Sequence, residues 1–116
     1  DKSKTWVERK STTIRHLKTA QREVQMIALA DKLSNIRDID REYPVVGEEF
    51  WNRFRMKSKA AIGWYYIGVK DALQKDFAGI PAYEEYRALV EKIFGSTSDW
   101  QRREHNEEDK DHMFCE

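Results

Sequence analysis

The sequence predicts an all-α protein. Two prolines, Pro44 and Pro81, and five glycines are the only strong helix breakers in 116 residues, so long helices are permitted nearly everywhere. Apolar residues follow a helical period, and the alternation of strands is absent. Start and stop signals agree: Thr5 stands three residues before Glu8, the spacing of a capping box, and Gly95 follows an apolar-periodic run.

The elements follow in order. Helix one spans about residues 6–19, with Ile14 and Leu17 on one face. Helix two begins at Gln21 or Arg22 and is expected to end near Asp40, because "REYPVVGEEF" contains Pro44 and Gly47. Helix three is the longest, about residues 48–75, with Phe50, Trp51, Phe54, Ala61, Trp64, Ile67, Gly68 and Leu73 forming an interrupted apolar stripe. Its internal Gly63 and Gly68 each cost about 1 kcal/mol relative to alanine and mark a close helix crossing or ligand approach. "AGIP" breaks the chain, and Pro81 opens helix four, which runs to Phe94 with Tyr83, Tyr86, Leu89, Val90 and Ile93 inward. Residues 1–95 are read as one domain of about four main helices. Residues 96–116 are polar apart from Trp100, Met113 and Phe114, and are read as a tail or short surface helix.

Lysine plus arginine and aspartate plus glutamate number 21 each. No global field therefore points toward nucleic acid or an anionic membrane. Without an apolar run of about 18 residues or a charged-then-apolar leader, neither a membrane span nor a secretory signal is expected, and a cytoplasmic setting is the default. The single cysteine, Cys115, has no intramolecular partner. The chain opens on Asp1 and the polar run "DKSK" and is expected to be the later part of something longer.

The stretch "VQMIALADKLSNIRDI" sets Asp31 in a run that is otherwise almost wholly apolar. Met26, Leu29, Leu33 and Ile36 make one stripe; Val24, Ile27, Ala28, Asp31, Asn35 and Asp38 lie on the other side. Such a helix is expected to be buried on most of its circumference. A lone buried carboxylate costs on the order of several kcal/mol unless compensated, so Asp31 is expected to have a partner. One reading gives it a divalent cation, for which a carboxylate is a hard oxygen donor, with Asn35 one turn on to orient a sugar or base. The other makes it a structural ion pair, with Arg9 and Lys10 as available partners.

The segments "SKTWVERKSTTIRHLK" and "IALADKLSNIRDI" resemble the HD-domain metal-dependent phosphohydrolases, in particular the bacterial branch related to the hydrolase domain of the RelA/SpoT enzymes. "KAAIGWYYIGVKDAL" matches a later helix of that family more loosely. The resemblance implies a helical HD-type bundle lacking the family's N-terminal helices, and a guanosine polyphosphate 3'-pyrophosphohydrolase activity in the complete enzyme. In that family Mn²⁺, or another divalent cation, is held by a histidine, an adjacent His-Asp pair and a later aspartate, which lowers the pKa of bound water and polarises a phosphoryl oxygen. Asp31 matches the later aspartate, Asn35 the nucleoside-contacting asparagine and Arg37 the arginine that follows; Arg9 and Lys10 match a basic pair on the preceding helix. Asp38 departs from the threonine common there.

None of His16, His105 and His112 is followed by aspartate. One carboxylate cannot retain a transition metal, since tight sites take several protein ligands. The chain alone is therefore expected to bind no metal and to be catalytically silent, its site completed by a preceding portion or another chain. The expected partners are a nucleotide substrate in the complete enzyme and, through exposed apolar surface, a second copy or the missing N-terminal portion. The rival reading is a non-catalytic helical interaction module. Asp109, His112 and Cys115 recur at every third residue, as a metal site or by accident. Trp64, Tyr65 and Tyr66, with Lys57, Lys59 and Lys70, either stack a base or belong to the core.

Overall fold

The computed structural model describes residues 4–100. The chain forms α1 (Trp6–Thr19), α2 (Arg22–Val46), a short 3₁₀ helix (Glu48–Arg53), α3 (Lys59–Phe77) and α4 (Pro81–Phe94), with no strand among the described residues. No described helix is long and apolar enough to cross a membrane. The all-α expectation holds.

Local chemistry sets most boundaries as expected. The Thr5 hydroxyl accepts from the Glu8 amide at 3.1 Å while the Glu8 carboxylate accepts from the Thr5 amide at 2.9 Å, so the capping box is closed. Pro81 occupies the first turn of α4, and Gly95 ends that helix at φ 95°.

Two boundaries differ from expectation. Helix two does not stop near Asp40: α2 continues through Pro44 to Val46. Proline removes one amide donor but leaves two more helical residues before Gly47, whose own amide closes on the Tyr43 carbonyl at 2.8 Å. The long third helix is in fact two elements. The Ser58 hydroxyl caps a new start by accepting from the Ala61 amide at 3.1 Å, and Lys57 just before it adopts φ 51°. Phe50, Trp51 and Phe54 therefore belong to the 3₁₀ helix and its exit, where Phe50 and Trp51 pack on Tyr43, and Phe54 on both of them, rather than extend the α3 stripe.

The core lies where α3 meets α1 and α4, and α4 meets α2. Trp6, Ile36, Leu73, Phe77, Tyr83, Tyr86 and Val90 are fully or almost fully enclosed there. Gly63 and Gly68 are helix-crossing residues: a Cβ on Gly63 would lie 2.7 Å from the Phe94 ring of α4, and one on Gly68 would collide with Ile14 of α1. Tyr65 and Tyr66 are core side chains, and Trp64 is half-buried. Trp100, placed outside the domain by the sequence reading, packs on it with its ring 5.3 Å from Trp64 and 6.3 Å from Trp6.

The position of α2 is fixed near its start by Gln25. Its buried amide donates to the Leu17 carbonyl of α1 at 2.8 Å and to the Asp76 carboxylate of α3 at 3.1 Å. That linkage orients the rest of α2, including Asp31 and the residues after it.

Candidate functional site

The expectation of a buried Asp31 is overturned: its side chain is 65% exposed. The apolar stripe of α2 narrows to Leu29, Leu33, Ile36 and Ile39, while Val24, Met26 and Ile27 face out with Asp31. The buried face was thus about a third of the circumference, and apolar residues on the remainder were exposed rather than enclosed. The Asp31 carboxylate lies 3.6 Å from Lys32 Nζ, and Asn35 Nδ2 donates to it over a long 3.4 Å.

One turn further on, α2 forms a wall of a cleft of about 330 Å³. Lys32, Asn35, Asp38 and Glu42 come from α2; Phe50, Arg53 and Phe54 from the 3₁₀ segment; Ile62, Tyr65 and Tyr66 from α3. Spacings of three and four residues put Lys32, Asn35, Asp38, Ile39 and Glu42 on one side of the helix. The floor is aromatic and the rim charged. Glu42 is bound by Arg53 and Arg41; these contacts, led by the Arg53 hydrogen bond, hold its carboxyl below the ordinary range.

Lys10, buried on α1, places its ammonium 4.7 Å from the Tyr65 ring centre, and Lys32 places its own 4.9 Å from the same ring. Two cations from two helices therefore share one aromatic side chain beside the cleft. Lys10 is among the residues expected from the sequence and Lys32 is not, although Lys32 sits three residues before Asn35 and so shares its side of the helix.

The remaining expected site residues are dispersed. Arg37 points to the other flank of α2, where its guanidinium makes a bidentate pair with Glu85 of α4 at 2.6 and 2.7 Å. That hydrogen bond raises the pKa of Arg37 and lowers that of Glu85. Arg9 donates to the Lys4 carbonyl at 2.7 Å near the start of α1. The structure therefore brings together Asp31, Asn35 and Lys32, sets Lys10 against the shared Tyr65, and separates Arg37.

Among the described residues no group of three or more His, Cys, Asp or Glu side chains could hold a metal ion. Asp31 with Asn35 does not by itself fit a divalent cation, which needs more oxygen or nitrogen donors than this pair offers. Asp109, His112 and Cys115 lie outside the described residues. No family model, no curated protein and no solved structure matches this chain.

Proposed function

We propose that this chain supplies Asp31, together with the adjoining cleft, to a metal-dependent phosphohydrolase similar to the guanosine polyphosphate 3'-pyrophosphohydrolases. The reading is carried by the Asp31-to-Arg37 pattern, with Asp31 and Asn35 one helical turn apart and Asn35 on the cleft wall. Among the described residues Asp31 is held by long contacts, in contrast to the tight Arg37–Glu85 pair, which leaves its carboxylate open to a further ligand. The other ligands of Mn²⁺, or a similar cation, come from outside residues 4–100. Asn35 meets the nucleoside, and Lys10 and Lys32 offset phosphate charge. Arg37 fixes α2 against α4.

The test uses the polypeptide as its cell makes it, supplied with Mn²⁺ and guanosine tetraphosphate. Pyrophosphate release is expected, and Asp31→Asn should reduce it by about 100-fold or more. Undiminished turnover in Asp31→Asn overturns the reading. Residues 1–116 alone should release none. A second reading, a helical interaction module without catalysis, is favoured by the exposure of Val24, Met26 and Ile27 on α2.

A further inference from the structure

Three helices meet at one ring. Tyr65 of α3, 5% exposed, lines the cleft, and Lys10 of α1 and Lys32 of α2 set their ammoniums 4.7 and 4.9 Å from its centre. Both lysines are buried, and the two charges are neighbours. Tyr65 is itself fixed: Trp6 and Tyr66 meet its ring edge-on, with centroids 6.2 and 6.0 Å away and interplanar angles of 70° and 79°. The same two rings also approach the cations, Trp6 at 6.0 Å from Lys10 and Tyr66 at 5.4 Å from Lys32.

A lysine ammonium is a point charge on a flexible four-carbon stem, and a ligand that must order the stem loses affinity in doing so. An aromatic ring orders it beforehand, because the negative π-face attracts the cation and burial strengthens the attraction. Holding two like charges side by side also costs energy, which an anion with several negative oxygens relieves. The Asp31 carboxylate, 3.6 Å from Lys32, offsets part of that repulsion. Lys32 and Tyr65 line the cleft beside Asn35, and Lys10 joins them through the shared ring.

We infer that Tyr65 is a positioning residue whose ring holds the Lys10 and Lys32 ammoniums as a pair for the pyrophosphoryl group of a substrate. The inference rests on that part of the proposed function in which these lysines meet phosphate, and it adds the group that orients them. Tyr65 acts through the lysines and makes no demand on Asp31 or on a metal. The ring carries the effect, so phenylalanine should replace it and leucine should not.

The probe is inorganic pyrophosphate, titrated into the full chain by calorimetry with a chelator present, which makes the readout independent of metal and of turnover. Lys10→Met, Lys32→Met and Tyr65→Leu should each weaken binding at least about 10-fold, a loss of about 1.4 kcal/mol, whereas Tyr65→Phe should stay within about threefold of the wild type. A spectroscopic signature accompanies the titration. In proton-carbon correlation spectra of the wild type and of Tyr65→Phe, two lysine ε-methylene signals should be displaced upfield by the ring, one vanishing in Lys10→Met and the other in Lys32→Met. In Tyr65→Leu both should move toward the ordinary lysine position. A Tyr65→Leu chain that binds pyrophosphate like the wild type overturns the inference, as does a Tyr65→Phe chain as weak as Tyr65→Leu, which would give the role to the hydroxyl. If Tyr65→Leu does not fold, the folded chain still decides: undisplaced lysine signals, or no pyrophosphate binding by the wild type, overturn the inference. Tyr65-dependent binding beside undiminished turnover in Asp31→Asn would keep this inference and remove the metal-dependent reading, and the opposite pair of results would do the reverse.

Discussion

Gly63 of α3 faces the Phe94 ring of α4 so closely that an added Cβ would sit 2.7 Å from Cδ1 and 3.2 Å from Cβ of the phenylalanine. The ring is braced by Trp51 and Tyr66, each with its centroid 5.7 Å away, and has little room to retreat. Gly63→Ala gains about 1 kcal/mol in helix propensity but incurs overpacking of about 1–3 kcal/mol, so a net loss is expected. At Gly68 the obstacle is the terminal methyl of a half-buried Ile14, which can rotate away, and Gly68→Ala should be the milder change. Urea denaturation of both variants checks the order; equal effects would show that the Phe94 packing is looser than its neighbours imply.

Tyr83 and Tyr86 hang α4 on the backbone of α3. Their buried hydroxyls donate to the carbonyls of Lys70 and Tyr66 at 2.7 and 2.8 Å. Each Tyr→Phe substitution should cost about 1 kcal/mol. Burial first, and then the nearby Asp71 carboxylate, push the Tyr83 phenol up to about 12. A phenol whose folded pKa exceeds its unfolded value of about 10 stabilises the fold below that pH, and the contribution is lost as pH rises from about 10 to about 12. Denaturant midpoints across that range should fall for the wild type and fall less for Tyr83→Phe.

Acid acts on a different set. Glu85 is depressed by its hydrogen bond to Arg37, Glu42 by Arg53, and Glu84 by the Gly79 amide and then Arg87. Carboxyls whose folded pKa lies below the unfolded value of about 4.3 contribute stability above that pH and lose it as pH falls through their folded values. Stability should therefore drop below a pH of about 4. Glu85→Gln should flatten the drop slightly, because each pair is exposed and screened by solvent. An identical acid limb in Glu85→Gln would exclude that pair as a contributor.

These contacts show what the sequence could and could not convey. Thr5, Glu8, Pro81 and Gly95 act within one turn of themselves, so their meaning survives without tertiary information. Ser58 carried the same kind of local signal, a cap before "KAA", but the aromatic residues upstream suggested one continuous stripe across it. Phe50 and Trp51 among them pack with Tyr43, a partner that only the fold supplies. Asp31 failed for another reason: a count of apolar neighbours does not say which face is covered, and the covered face is the one that carries Leu29, Leu33, Ile36 and Ile39. The cleft around Asn35 was half legible, since Lys32 shares its helix side, whereas Arg53 and Tyr65 arrive from other elements.

Trp100 shows where the folded unit extends past the last helix. Its ring contacts Trp6 and Trp64, and just before it the Ser96 carbonyl accepts from the ammonium of buried Lys70 at 2.9 Å. Trp100→Ala should cost about 1–3 kcal/mol, less than a fully enclosed tryptophan would, because the side chain is only half-buried. Ending the chain after Gly95 should cost more, since it also removes the acceptor from Lys70. Thermal unfolding followed by tryptophan fluorescence checks the ranking; a truncated chain as stable as the full one would confine the domain to residues 1–95.

Asp31 permits a test in which stability and chemistry separate. An exposed carboxylate held by a 3.6 Å ion pair and a 3.4 Å hydrogen bond contributes little to folding, so Asp31→Ala should alter unfolding free energy by no more than about 0.5 kcal/mol. Had the side chain been enclosed and paired, its removal would have left a buried cation uncompensated at a cost of about 3–5 kcal/mol. The proposed hydrolase role makes the opposite demand on activity, where the same substitution should be close to total. A variant that unfolds like the wild type yet has lost pyrophosphate release places the effect in the chemistry. One that is both destabilised and inactive would return Asp31 to the architecture of the fold.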